Sequence, residues 1–205
     1  MSFDVPQSAR FLRLFVVFGG IFSIGSVVVA SIADGNLLNV LLAFTIQSNI
    51  FIWLWCLLAL LWENSPRYKL LIGYVKASLT QYITITFLVF SVFMEARWNP
   101  EGIGWWTSLF NHYLLPWAFI SDFFIAERTH LKWIWPIKSL SYPLLYLLIV
   151  YFYGQLTGYY PYSFFNPSEQ GTGLIIGLII SLAVLFSLVG FFFTFINRTW
   201  LITSK

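Results

Sequence analysis

Six long apolar runs, separated by short polar turns, decide what this chain can become. They lie at about 11–31, 37–62, 70–94, 105–126, 139–157 and 172–197, each near the roughly 20 residues a membrane helix needs. The turns carry the breakers that such connections use: Asp34-Gly35-Asn36, Asn64-Ser65-Pro66, Asn99-Pro100-Glu101-Gly102 and Asn166-Pro167. Only 9% of the residues are charged, against about 25% in a soluble domain. The reading is an all-α, polytopic membrane protein, with residues 1–205 forming a single six-helix transmembrane domain and the bilayer as its first partner. No internal repeat supports an inverted-repeat transporter plan.

Charge sets the expected orientation. Arg10, Arg13, Arg67, Lys69, Lys76, Arg128, Lys132, Lys138, Arg198 and Lys205 fall at one end of the predicted bundle, and Arg97 alone at the other. The positive-inside rule then places both termini in the cytoplasm. The net charge of +3 is topological and does not point to nucleic acid. Cys56 is the one cysteine, so no intrachain disulfide forms. Asn197-Arg198-Thr199 fits a glycosylation sequon but falls on the cytoplasmic side. Gly173 and Gly177 form a GxxxG pair, read as close packing inside the bundle. The aromatic loop from Gly158 to Gly171 is read as an interfacial belt, with a cover over an outward-facing cavity as the alternative.

Polar residues at membrane depth must find partners or line a wet cavity. The second run contains Thr45, Gln47, Ser48 and Asn49 within five positions. On a helix Thr45, Ser48 and Asn49 share one face, while Gln47 points toward another helix. Counted at 1.5 Å per residue, Thr45 lies roughly 12 Å and His112 roughly 10 Å below the surface opposite the basic end. Thr84 lies roughly 15 Å down, with Thr80 and Gln81 one turn deeper and Tyr146 near the same level. Threonine in a membrane helix ordinarily bonds its own backbone carbonyl one turn back. A membrane histidine is costlier and points to function.

A hydroxyl and an imidazole at one depth, with amides nearby, are the minimal kit for nucleophilic acyl transfer. Thr45 would attack, and neutral His112 would take its proton and return it to the leaving group. Asn49 or Gln81 would donate to the oxyanion, with Ser48 and Tyr146 as further substrate-facing candidates. Backbone amides in mid-helix are already bonded and are expected to contribute nothing. Asp122 is about 15 Å along the helix from His112, within two turns of Arg128, and is read as a structural ion pair or helix-end partner. An orienting group for His112 is expected from another helix, Tyr146 or Gln81. His130 lies in a basic loop and Cys56 far from Thr45, so no metal is expected, and no cofactor is implied.

FTIQSN (44–49), NHYLLP (111–116) and YPYSFFNP (160–167), in this order on a six-helix chain, resemble the androgen-induced-protein family of intramembrane threonine hydrolases. The resemblance implies a hydrolase of lipid esters, of the fatty-acid-ester-of-hydroxy-fatty-acid type, with Thr45 as nucleophile and His112 as base. The QSN after Thr45 and the short loops look more like the bacterial branch, which implies the bacterial cytoplasmic (inner) membrane. A lipid ester with long acyl chains would then enter laterally from the outer leaflet, with transfer of the acyl group to an alcohol or lipid as a close variant. The rival readings are a small transporter, channel or lipid-binding protein, which Lys76, Thr80 and Thr84 at i, i+4 and i+8 would suit, and a structural partner subunit. If His112 is the base, the hydrolysis rate falls as the pH drops through its titration. A pH profile that stays flat to well below the ordinary imidazole value of about 6.5 would remove His112 from that role.

Overall fold

The computed structural model describes residues 5–201; Lys205, counted above among the basic residues, lies outside the described residues. The elements are α1 (Gln7–Ala33), α2 (Leu37–Leu41), α3 (Phe44–Trp62), α4 (Tyr74–Val89), α5 (Ile103–Leu109), α6 (Leu115–Ala126), α7 (Trp135–Lys138), α8 (Ser141–Thr157) and α9 (Thr172–Ile196). No strand occurs among the described residues. Five helical stretches are long and apolar enough to cross a membrane: 7–33, 44–62, 74–94, 135–157 and 172–201. The protein is therefore all-α and membrane-like. The remaining run, 103–126, stays helical throughout but is divided by a π turn at Phe110–Leu114. Leucine, isoleucine and phenylalanine cover the outward faces, where a bilayer would bury them.

Two expected helices differ from their sequence outlines. The second run does not form one rod, because Ala43 is extended at ψ 128° and separates α2 from α3. Nothing in its sequence breaks a helix; neither glycine nor proline is present, and tertiary contacts hold the break. The third run begins four residues late, because Pro66–Leu70 forms a 3-10 turn. Gly73 (φ 70°) then turns the chain into α4 and donates its amide to the buried Glu127.

Cross-links at the basic end join the start of α1, the end of α3, the start of α4 and the end of α6. Arg13, at the start of α1, bonds Asp122 Oδ1 at 3.0 Å and the Tyr68 hydroxyl at 2.9 Å. Lys76, at the start of α4, reaches Asp122 Oδ2 at 2.7 Å and the Asp122 carbonyl at 3.0 Å. All three charged side chains are buried. Both cations also lie over the Trp55 ring, at 5.1 and 5.0 Å from its centroid. Asp122 is a structural ion pair, but its partners are Arg13 and Lys76. Arg128 bonds the carbonyls of Phe124 and Glu127 instead. One helix's spacing does not name the partners, because both cations come from other helices.

The larger apolar core, including Ile52, Trp55, Phe119 and Phe123, packs around this triad. A second cluster, built from Phe44, Tyr82, Ile85, Tyr146, Val150 and Phe186, lies toward the other end. The first half of α9 stands clear of both. A Cβ added at Gly173 or Gly177 would meet nothing within 4 Å, so the GxxxG pair does not pack inside this bundle. Removing the buried carboxylate while leaving its two cations should be severely destabilising. Asp122→Asn is expected to lose about 3–5 kcal/mol, read as a lower unfolding temperature in detergent, whereas Glu63→Gln, which breaks the exposed pair with Arg10, should change it little.

Candidate functional site

The break between α2 and α3 builds the site. A helix leaves its first amides without intrahelical acceptors, so the N–H groups of Phe44, Thr45 and Ile46 are released at this point; Gln47 makes the first helical bond, to Ala43 O. Gln47 also repairs the other side of the break. Its Nε2 donates to the Leu41 carbonyl at 2.9 Å, and its Oε1 accepts from the Tyr142 hydroxyl on α8. Gln47 thus reaches another helix as its position predicted. The expectation that the backbone near Thr45 is fully bonded is corrected, because Thr45 lies in a first turn and not in mid-helix.

Thr45 opens on a cavity of about 730 Å³, counted with its open side, between α3, α4, α8, α9 and the loop that follows α8. Its lining is almost wholly apolar, with Phe44, Ile85, Val89, Phe90, Leu147, Leu182 and Phe186 among its walls. Thr45, Thr86, Tyr146 and Tyr162 are the polar side chains at its margin. The apolar walls with a few convergent polar groups are those of a small-molecule pocket. Thr45 is not back-bonded. Its amide donates to the Tyr162 hydroxyl at 3.3 Å, and its Oγ1 lies 3.4 Å from the same oxygen. The Tyr146 hydroxyl is buried beside the Phe44 amide.

The loop after α8 therefore does more than form a belt. Gly158, at φ 75°, ends α8 in the left-handed conformation that glycine adopts without strain. The chain then returns so that Tyr162, Phe164 and Phe165 line the cavity. Burial pushes the Tyr162 phenol above its ordinary pKa, and the Thr45 hydrogen bonds only partly offset this, so it remains a neutral hydroxyl. Sequence reasoning weighed this loop as a cover but did not single out Tyr162; the aromatic run YPYSFF was the available signal.

His112 lies on the neighbouring π turn and does not line the cavity. Its ring stacks on Phe90, with centroids 3.5 Å apart and 7° between planes, and Phe90 forms part of the cavity wall. Phe90 itself opens a second π turn, Phe90–Met94. His112 Nδ1 is 3.0 Å from the Ser108 carbonyl and 3.1 Å from Ser108 Oγ. A carbonyl only accepts, so the first contact is a hydrogen bond when Nδ1 carries the proton, which leaves a lone pair on Nε2. The orienting group thus comes from the histidine's own helix and not from Tyr146 or Gln81. Thr45 and His112 are linked indirectly: Asn49 Nδ2 donates both to Thr45 O and to Asn111 O, each at 2.9 Å.

The other candidates divide clearly. Asn49 spends its donor on that bridge, and Ser48 bonds Thr45 O and Thr86 Oγ1. Gln81 bonds Phe186 O and Ser139 Oγ, away from the cavity. Of the tentative substrate-facing residues only Tyr146 lines the cavity. Among the described residues no cluster of three or more histidine, cysteine or carboxylate side chains forms a metal-binding group. Thr80 and Thr84 bond carbonyls one turn back, as expected for helix threonines. Gln47→Leu, which leaves the Leu41 carbonyl and the Tyr142 hydroxyl without their partner, is expected to cost about 1–3 kcal/mol. The check is a lowered unfolding temperature in detergent. No family model, curated protein or solved structure matches the chain.

Proposed function

We propose that the chain is an intramembrane lipid-ester hydrolase of the androgen-induced-protein type, with Thr45 as nucleophile and His112 as general base. The observation that carries this reading is the hydroxyl of Thr45, free of its own backbone, in a first helical turn beside an apolar cavity. An acyl chain would lie in the cavity, entering between α8 and α9, whose side chains form opposite walls. Thr45 Oγ attacks the ester carbonyl carbon while His112 Nε2 takes its proton. The proton passes to the departing alkoxide, and water then releases the acid from the acyl-threonine. The amides freed at the start of α3, with the Tyr146 hydroxyl, would donate to the oxyanion, a role that fixed donors in a dry site perform strongly.

In the closed arrangement Tyr162 holds Thr45 and Phe90 covers His112. The reaction therefore includes a step in which Tyr162 withdraws and the two stacked rings turn toward Thr45; resting enzymes often tighten such contacts only with substrate bound. Six spans, cytoplasmic termini and an inner-membrane location complete the proposal, with the site then in the outer half of the bilayer. A lipid-binding protein without chemistry is the second reading, favoured by the almost wholly apolar lining. The pore version has less support, because Lys76 is tied to Asp122 and Thr80 and Thr84 are back-bonded.

Fluorophosphonate labelling of the purified protein, followed by mass spectrometry, separates these readings. An adduct on Thr45 is expected, absent in Thr45→Ala and reduced on the order of 10²–10⁴-fold in rate in His112→Ala. Retained fatty-acid binding with no adduct on the folded wild type would favour the binding protein.

A further inference from the structure

A second cavity lies between α4 and the segment that joins α6 to α8, separated from the first by the packing of Tyr82 on Phe44. It measures about 750 Å³, counted with its open side. Tyr74, Ser78 and Tyr82 form one wall at helical spacing, and Lys132, Trp135, Lys138, Ser139 and Ser141 are on the other. No carboxylate lines it. Several of its polar groups are already engaged in holding the walls. Trp135 Nε1 donates to Ser78 Oγ, Ser139 Oγ donates to Gln81 and to the Pro136 carbonyl, and Tyr82 donates to Ser139 O.

The groups left over are all suited to an anion. Lys132 and Lys138 form no salt bridge among the described residues. Among the described residues their ammonium groups and the hydroxyls of Tyr74 and Ser141 have no hydrogen-bond partner. Arg198, beside this segment, is occupied: it lies over the Trp133 ring and donates to Leu131 O. Trp133, Ile134 and Ile137, beside the two lysines, are about half exposed. Tryptophan and isoleucine next to lysine on an exposed edge suit the boundary between headgroups and acyl chains.

We propose that this groove binds the phosphate headgroup of an anionic phospholipid, with Lys132 and Lys138 as the charge partners and Tyr74 and Ser141 as hydrogen-bond donors. The apolar edge identifies the source of the phosphate: a lipid brings acyl chains to cover Trp133, Ile134 and Ile137, and a free phosphate does not. The site is independent of the chemistry proposed at Thr45. It would fix the depth of the α7–α8 corner, and with it the start of α8, which forms one wall of the other cavity.

Native mass spectrometry of the full chain in detergent tests this with phosphatidylglycerol, phosphatidylcholine and inorganic phosphate as separate probes. Phosphatidylglycerol is expected to be retained in preference to phosphatidylcholine. Its affinity should fall about fivefold for each lysine removed in Lys132→Gln/Lys138→Gln. Arg67→Gln/Lys69→Gln removes the same charge from the same end and should leave the affinity nearly unchanged. An equal loss in both double variants would reduce the effect to diffuse attraction and overturn the site. Equal retention of the two lipids, or inorganic phosphate bound as well as phosphatidylglycerol, would overturn it as a lipid site.

Discussion

One carboxylate sets the arrangement of half the bundle. Asp122 is buried between Arg13 and Lys76, so α1, α4 and α6 meet at a point where none of them can shift alone. Taking three charges out of water is expensive, and the cost is offset only while every partner is in place. The Tyr68 hydroxyl, the Asp122 carbonyl and the face of Trp55 supply the additional contacts that make the arrangement tolerable. Hydrophobic packing alone would allow helices with so little polar marking to slide or rotate against each other. The triad removes that freedom and fixes the register of the core around Trp55, Phe119 and Phe123.

With that end fixed, the opposite half departs from regular helix. The chain breaks at Ala43, and π turns interrupt it at Phe90 and Phe110. Irregular backbone at membrane depth survives where it is buried in protein or lines a cavity. These three irregularities are neighbours, whereas the 3-10 turn at Pro66–Leu70 and the π turn at Asn197–Leu201 lie at the basic end. The break frees amides at Thr45, the first π turn supplies Phe90, and the second supplies His112 and Asn111. Asn49 ties two of them together through Thr45 O and Asn111 O. The ion-paired basic end and the opposite end thus divide the work between holding the helices and shaping a cavity.

α8 connects the two. Its start belongs to the basic end, beside Lys138 and Ser139, while Tyr142 and Tyr146 farther along reach Gln47 and the cavity. A change in how that corner sits at the membrane surface would be transmitted to the cavity wall by the helix itself.

The sequence alone determined the class of fold, because six apolar runs with 9% charged residues have no soluble way to bury themselves. It also marked the residues at which polarity is costly. Thr45, Gln47, Ser48, Asn49, Gln81, His112 and Asp122 all stood out, and each has a specific place in the structure. What it could not determine was which of them face one another, because helical spacing orders residues within a helix and says nothing about rotation between helices. Asn49, Ser48 and Gln81 therefore became bridges, Asp122 found Arg13 and Lys76, and Tyr162 came to Thr45 from 117 positions away. The break at Ala43 was equally hidden. No glycine or proline announces it, and it is maintained by Gln47 bonding Leu41 and Tyr142, contacts that exist only once the chain has folded.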